Sequence, residues 1–471
     1  MRAAAKTFIP ATPSRSEGAG LPFGCVLFAL LTLPACPRSR LPKPDGAAVV
    51  VAPEPKEGEV VAVAEVEPND TIAKAQHLLV APAAPAAVAG AVAWVAKGRP
   101  DVDVYRIDLP GPDGGVADAA PVAQARPDGG DAGAVPVPRP KQMVRIEVTP
   151  EATVAMKIEV LDPVGKTLLS VGPGDPGQVV AVPNLALGSQ APFVRVRRSA
   201  PSDAPGTYKV VFRVLPLDPG GEIEPDDTTA QANDLVIPGE AIGYLGWRKD
   251  QDVFRLPTAA LAEGSVLAAD LDPIPNVSSR LALVDAAGKK LSEARGRRGE
   301  RVALRNVLVP AGTAQLFLIA TAEFGSNADQ RYDVRVNAEL PKPGAEAEPN
   351  DDAAHAQVVT DGTIQGYLAR GDVDVFRYSV TTPVTVTAEL ALPERATAKL
   401  EISNEAGVAL ARGKPIGKGR KPLGAGLQVE AGTVLIRVIA GSGEGNPDDP
   451  YKLTVSSRPL DGTAPAPPPG E

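Results

Sequence analysis

The sequence predicts an all-β chain of three tandem β-sandwiches. Three observations carry that prediction: a threefold internal repeat, a period of two in the apolar residues, and prolines spread along the whole length. The stretch EVEPNDTIAKAQ (residues 65–76) returns as EIEPDDTTAQAN (222–233) and as EAEPNDDAAHAQ (346–357). A second shared stretch follows each: DVDVYRIDL from Asp101, DQDVFRL from Asp250 and DVDVFRYSV from Asp372. A third is a turn, DPVG from Asp162, DAAG from Asp285 and NEAG from Asn404. A fourth closes each copy, GTYKVVF from Gly206, QRYDVRV from Gln330 and DPYKLTV from Asp449. From the turn residue to the closing tyrosine (Tyr208, Tyr332, Tyr451) the separations are 46, 47 and 47. Four stretches held in order and register three times are homologous units, and such repeats are settled before any finer reading.

Within each copy the apolar residues alternate. Tyr105, Ile107 and Leu109 do so, as do Phe254 with Leu256, and Phe376, Tyr378 and Val380. Val144, Ile146 and Val148 alternate against Arg145 and Glu147. Alternation puts one side of a strand in a core. The D/N-x-x-G turns between such runs suit hairpins, with glycine where φ is positive. Fifty prolines in 471 residues exclude long helices. Seven to nine short strands per copy are expected, in a sandwich.

Taken in order, the chain reads as follows. Residues 1–35 form an export signal: Arg2, Lys6 and Arg15 precede LPFGCVLFALLTL (21–33), an apolar run of thirteen residues, too short to cross a bilayer as a helix. The run ends in LPAC (33–36), where Leu33 and Ala35 fit a bacterial lipobox, Pro34 is less usual, and Cys36 is the candidate lipidation site. Cleavage near Ala35 by an ordinary signal peptidase is the plainer alternative. A flexible tether (36–63) leads to the first sandwich (64–217). That copy is longer than the others. From Asp103 to Asp162 lie 59 residues, against 33 and 30 in the equivalent intervals. The surplus is a Gly/Ala/Pro/Asp run at about 110–140, too poor in apolar groups to offset its ordering entropy, and is expected to be disordered. A shorter Ala/Pro insertion lies at 81–87. The second sandwich (218–340), the third (341–457) and a Pro-rich disordered tail (458–471) complete the chain.

Charge excludes one class of partner. The net charge is −9; the first 35 residues hold three cations against Glu17, a net +2, so the remainder carries −11. Nucleic acid, which needs a basic surface, is not expected. With only Cys25 and Cys36, no structural zinc pattern exists, and a chain beginning at Cys36 has no internal disulfide.

The acidic stretches concentrate the candidate chemistry. Pro68, Pro225 and Pro349 bias the preceding glutamate to an extended form, so Glu65 and Glu67 point the same way. The plain reading of Asn69 and Asp70 is the N-cap of a single helical turn over TIAKAQ, with solvated glutamates before it. The second stretch counts against that. Asp101 and Asp103 share the parity of core-facing Tyr105, and Asp250 with Asp252 and Asp372 with Asp374 repeat the pattern. A core-facing carboxylate is costly unless paired or bound to metal. Carboxylate and amide oxygens from two segments, without sulfur or imidazole, suit a hard cation, and calcium tolerates this mix best.

These stretches together resemble the bacterial pre-peptidase C-terminal domain, a family similar to the collagen-binding domains of bacterial collagenases. The resemblance covers nearly all of the chain after the tether, three times over. It implies jelly-roll-like sandwiches, commonly appended to secreted proteases. It also implies calcium held by the acidic stretch and a later aspartate. Carried over residue by residue, the ligands would be Glu65, Glu67, Asn69, Asp70 and Asp101 in the first copy. In the second they would be Glu222, Glu224, Asp226, Asp227 and Asp250, and in the third Glu346, Glu348, Asn350, Asp351 and Asp372. The second copy departs from the pattern in having Asp226 for asparagine, which adds charge.

No protease domain is visible beside the three units, G-x-S-x-G is absent, and the two histidines, His77 and His355, do not align between copies. They are expected to be incidental surface residues, and the chain is expected not to be an enzyme. Trp94 and Trp247 each lie four residues after an equivalent glycine, Gly90 and Gly243, where the third copy has Arg370. Each tryptophan is a candidate ligand contact, or else the cover of a sandwich end. The basic runs at 295–301 and 417–421 read as solvated hairpin loops. The expectation is a lipid-anchored cell-envelope protein, in the outer membrane with a periplasmic or surface face. It would present three calcium-supported modules for binding or spacing, to an envelope protein or polysaccharide. The alternative is an accessory subunit that engages a separately encoded secreted protease or its substrate.

Overall fold

The computed structural model describes residues 60–92, 94–95, 99–110, 142–187, 193–200, 205–394, 396–416, 422–441 and 446–460. The signal, Cys36, most of the tether, the insertion at 111–140 and the tail beyond 460 lie outside the described residues.

Each copy of the repeat builds two facing sheets in one strand order. In the second copy one sheet runs Asn233–Asp234, Gln251–Pro257, Gln315–Phe324, Ser278–Asp285, Lys290–Arg298. The other runs Gly239–Gly243, Tyr332–Glu339, Val266–Leu271, Val302–Leu308. Apart from the short first strand, which pairs in parallel with Gln251–Pro257, these are two four-stranded antiparallel sheets in jelly-roll order. The first and third copies repeat the order, each with an added edge strand, Val61–Ala64 and Lys414–Pro415. The two sheets of the second copy thus hold nine strands, within the expected seven to nine, and the added edge strands take the first and third copies beyond it. Val61–Ala64 pairs in parallel with Ala86–Val92, so the end of the expected tether is sheet, and the Ala/Pro stretch at 81–87 runs into a strand. The closing strand of the third copy, Asn446–Pro459, likewise takes in the first residues of the expected tail.

Alternation does what the sequence requires of it. Phe254 and Leu256, Phe376 and Tyr378, and Tyr105 and Ile107 are buried in three separate cores. Burying each such side chain contributes roughly 1.5–3 kcal/mol. Tyr105 packs edge-on against Phe212, with ring centroids 5.8 Å apart. The three turns close alike. Asp162 Oδ1 accepts the Lys166 amide at 2.8 Å, and Asp285 Oδ1 the Lys289 amide at 2.8 Å. Asn404 Oδ1 accepts the Val408 amide at 2.9 Å. Gly165, Gly288 and Gly407 take the positive φ that the turn demands, 91°, 79° and 79°.

Consecutive sandwiches are joined by backbone hydrogen bonds. The Glu224 amide donates to Asn184 O (3.2 Å), and the Ala186 amide donates to Glu224 O (2.9 Å). At the next joint the Glu348 amide donates to Asn306 O (2.9 Å), and the Leu308 amide to Glu348 O (2.8 Å). Asn184 and Asn306 lie in Val180–Ala186 and Val302–Leu308, the edge strands of their sheets. The second and third acidic stretches therefore each extend the sheet before them by one bridge and cover an edge that would otherwise invite aggregation.

Candidate metal centre

The acidic stretch is held in shape by its own last residue. Gln76 Oε1 accepts the Val66 amide (3.1 Å), and its Nε2 donates to Ala64 O (2.8 Å). Gln357 makes the same two bonds to Ala347 and Ala345, at 3.0 and 3.1 Å. The Glu-Pro bond inside the stretch is cis in all three copies. One turn on, the Asn69 carbonyl accepts the Val104 amide (3.1 Å) and the Asn350 carbonyl the Val375 amide (2.9 Å), fastening the stretch to the strand that carries the second aspartate.

Three side chains then converge in each copy. The first glutamate reaches across the sheet, and the amide after a strand glycine donates to it: Ala91 to Glu65 Oε2 (3.0 Å), Tyr244 to Glu222 Oε1 (3.0 Å), and Tyr367 to Glu346 Oε1. The glycine is obligatory, because a Cβ on Gly90 would stand 2.6 Å from Glu65 Oε1 and 2.5 Å from the Tyr208 ring. The second glutamate folds back onto the amide two residues on, at 2.9 to 3.0 Å in all three copies. The second aspartate of the D-x-D pair arrives from the strand. Oxygens of Glu65, Glu67 and Asp103 lie within 4.8 Å of one another, and so do those of Glu346, Glu348 and Asp374. In the second copy two such groups share a member, Glu222–Glu224–Asp226 and Glu224–Asp250–Asp252.

The closing tyrosine completes each site. Tyr208 donates to Asp103 Oδ2 (2.6 Å), Tyr332 to Asp252 Oδ2, and Tyr451 to Glu346 Oε2 (2.9 Å). In the first copy Tyr105 also reaches Glu65 Oε1 (3.1 Å).

Among the described residues the carboxylates of each group meet no cation, and the electrostatics are severe. Burial first, then like charge, raises the Asp103 carboxyl to about 8 and Glu348 to about 9. Burial lifts Glu346 to about 8 and Glu222 to about 7, against backbone hydrogen bonds that pull them down. Glu224, Asp226, Asp250, Asp252 and Asp374 are all pushed well up by desolvation. Several polar atoms here are buried without a hydrogen-bond partner: both side-chain atoms of Asn69 and of Asn350, Asp103 Oδ1, Glu222 Oε2, Glu224 Oε1, Asp226 Oδ1, Asp252 Oδ1 and both carboxylate oxygens of Asp374. Asn69 and Asn350 are 0 % exposed. Orphaned buried acceptors are rare and costly. A hard divalent cation would satisfy them, since oxygens within 4.8 Å of one another suit ligands about 2.3–2.6 Å from a common centre. The residues present fit calcium.

The sites differ from the sequence expectation in their membership. Glu65, Glu67, Glu222, Glu224, Glu346, Glu348, Asp226 and Asp250 are in the tight groups. Asn69 and Asn350 are buried beside them, their side chains unsatisfied. Asp70 and Asp351 are exposed, Asp227 is half-buried, and none of the three belongs to a tight group. Asp101 and Asp372 stand two residues before the convergent aspartate; Asp372 Oδ2 accepts the Ala369 amide (3.0 Å), closing a local turn. The residues missing from the expected ligand set are Asp103, Asp252 and Asp374, though their core-facing parity is visible in the sequence, together with the closing tyrosines. The N-cap reading fails in the first copy. The short 3-10 turn Ile72–Lys74 begins after Thr71, not at Asn69 or Asp70.

The second copy has exchanged two polar groups. Where the others have Asn and Gln (Asn69 with Gln76, Asn350 with Gln357), it has Asp226 and Asn233, and Asn233 Nδ2 donates to Asp226 Oδ2 (2.7 Å).

Trp247 covers the end of a sandwich, the other reading the sequence offers for it. It is 8 % exposed and packs within the core of the first sandwich, the one before its own. Arg370, at the equivalent place in the third copy, also reaches back, to Glu300 Oε2 (3.2 Å). The Trp94 side chain lies outside the described residues. His77 bonds Asp108 and His355 bonds Asp352, each at 2.9 Å.

No family model matches the chain, and no curated protein matches it. Among solved structures it is similar to the pre-peptidase C-terminal domain of a collagenase from Bacillus anthracis: 21% identity, TM-score 0.19, covering 21% of this chain and 94% of that one. The exported protein XepA of PBSX matches at 10% identity and TM-score 0.13, over 42% of this chain and 76% of that one. An archaeal virus protein with a triple jelly roll, from a turret assembly, matches at 9% identity and TM-score 0.16, over 68% and 80%.

Proposed function

We propose that this chain is a non-catalytic, exported spacer of the cell envelope, lipid-anchored at Cys36 and built from three sandwiches, each supported by a calcium ion. The observation that carries the reading is the double use of Glu224 and Glu348. Each puts its side chain in a carboxylate cluster and its backbone in the sheet of the sandwich before it. A cation bound there holds a joint as well as a module. Ligands for it would be Glu65, Glu67, Asn69 and Asp103 in the first copy. In the second they would be Glu222, Glu224, Asp226, Asp250 and Asp252, and in the third Glu346, Glu348, Asn350 and Asp374. Bound calcium would neutralise carboxylates that otherwise repel one another. In the second and third copies the carboxylates are buried out of reach of a polymeric substrate, which supports a structural role over hydrolysis. An accessory role beside a separate protease is compatible with the same architecture and adds a partner at the far end.

The test is thermal melting of the full chain in calcium, magnesium and chelator. Extracellular calcium modules bind at about 10⁻⁴–10⁻³ M, and at ten times that dissociation constant linkage stabilises by roughly 1.4 kcal/mol per site. Calcium should raise the melting temperature by several degrees, magnesium by less, and Glu348→Gln with Asp374→Asn should remove the third site's share. Coincident curves in all three solutions would end the calcium reading.

A further inference from the structure

The lead-in of the first sandwich carries a docking surface whose two counterparts are both in use. At each internal joint the second glutamate of the acidic stretch exchanges two backbone hydrogen bonds with an edge strand of the preceding sheet, beside an asparagine. Asn184 also donates its side-chain amide to Glu222 O (3.1 Å). The bridge is parallel and centred on the residue after the asparagine, Leu185 opposite Glu224 and Val307 opposite Glu348. In the first copy the same place is Glu67, which is exposed, whereas Glu224 and Glu348 are 1 % and 7 % exposed. Among the described residues no strand lies against Glu67.

We propose that this surface receives an edge strand of a β-sandwich in another protein, one bearing an asparagine followed by an aliphatic residue, as in PNL (183–185) and RNV (305–307). The occupant is not a second copy of this chain. Both asparagine-bearing strands are already engaged by the following sandwich. In the third sandwich the equivalent strand, Leu423–Val429, has Gly426 where the others have asparagine, and Lys414–Pro415 pairs along its outer edge. The array thus offers an acceptor at its head and no donor at its tail. This is strand addition at a sheet margin, with main-chain bonds for affinity and an amide for register. It does not rest on the metal reading.

The probe is the chain's own donor strand as a labelled peptide, QVVAVPNLAL (residues 178–187), with photo-leucine at position 185, titrated onto the full chain with calcium and with chelator. Saturable binding is expected in either solution, at least tenfold weaker for the Asn184→Ala peptide, with the photo-cross-link mapping to residues 65–70. Failure to bind at millimolar peptide, equal binding by the alanine peptide, or a cross-link at 222–227 or 346–351 would each overturn the proposal. Binding that emerges only when residues 37–59 are deleted would overturn it as well, because the chain's own leader would then be the occupant.

Discussion

The lead-ins of the first and third sandwiches are nearly the same sequence in different surroundings. EVEPND and EAEPND share five of six residues, and both fold with the same cis Glu-Pro bond, the same glutamine clamp and the same carbonyl bond to the second strand. Yet Glu65 is half-buried and Glu67 exposed, while Glu346 and Glu348 are both buried. The difference is supplied by the preceding sandwich, which lays Val302–Leu308 against the third stretch and has no counterpart among the described residues before the first. Local sequence sets the shape of the site. The neighbour sets how dry it is, and with that the strength of every charge interaction in it.

The largest effect is expected from removing a neighbour's contribution to a core. Trp247→Ala should destabilise the first sandwich by roughly 3–5 kcal/mol, the range for truncating a buried aromatic, although the residue belongs to the second. Hydrogen exchange in Val144, Ile146 and Val148 should report the loss. If only the second sandwich loosens, the joint is looser than described.

Next in size is the response to pH without metal. A carboxyl whose pKa is raised on folding lends stability below its ordinary value, and that stability is lost as pH rises through the folded value. Glu346 and Glu348 start from an ordinary 4.5 and reach about 8 and about 9. The third site should therefore weaken progressively from about pH 4.5 to about 9 in chelator. In the first site burial raises Asp103 to about 8 and raises Glu67 as well, but Glu67 is exposed and Glu65 only half-buried, so the loss there should be smaller. Amide protection of Val375 against Val104, the two amides bonded to Asn350 and Asn69, measures the contrast directly. Equal pH dependence at the two amides would show that the preceding sandwich does not govern the site. Calcium should reverse the trend and bind more tightly as pH rises, because it displaces protons.

The smallest effect is expected at a single side-chain bond of one joint. Asn184→Ala removes one side-chain hydrogen bond at the first joint and should cost about 1 kcal/mol. It should move the second sandwich against the first and leave the joint between the second and third unchanged. Gly426→Ala, at the equivalent but undocked place in the last sandwich, should show no joint phenotype. A uniform response at both joints would contradict this.

Much of the fold could be read from the residues alone. Alternation in Tyr105–Ile107, Phe254–Leu256 and Phe376–Tyr378 located core strands because period two is a local property. Asp162, Asp285 and Asn404 located hairpins because their turns close on their own side chains. The acidic stretches were visible as candidate sites because the chain writes them three times. The convergent aspartates were only half visible. Parity placed Asp103 toward the core, but which aspartate of the pair meets the glutamates depends on where the strand begins. Tyr208, Tyr332 and Tyr451 recur in every copy, yet in the sequence they mark only the end of the repeat, since nothing local shows where a hydroxyl ends. The joints were not legible at all. Trp247 fills a core built from strands of the preceding unit, and Asn184 acts on a segment of the next unit; neither relation has a period.

The exchange of Asn and Gln for Asp226 and Asn233 in the second copy has a consequence for how such a chain can change. Asn233 Nδ2 donates both to Asp226 Oδ2 and to the backbone at Ile223 O (3.4 Å), whereas the bonds of Gln76 and Gln357 go to the backbone. The two positions are not equally free. Asn233→Gln made alone would draw the donor away from Asp226 Oδ2, whereas Asp226→Asn made alone keeps a side-chain oxygen that accepts from Asn233. A hybrid chain that joins Asp226 to a glutamine at position 233 should therefore weaken the second site, while one that joins an asparagine at 226 to Asn233 should keep it, so that the order in which two such changes accumulate matters.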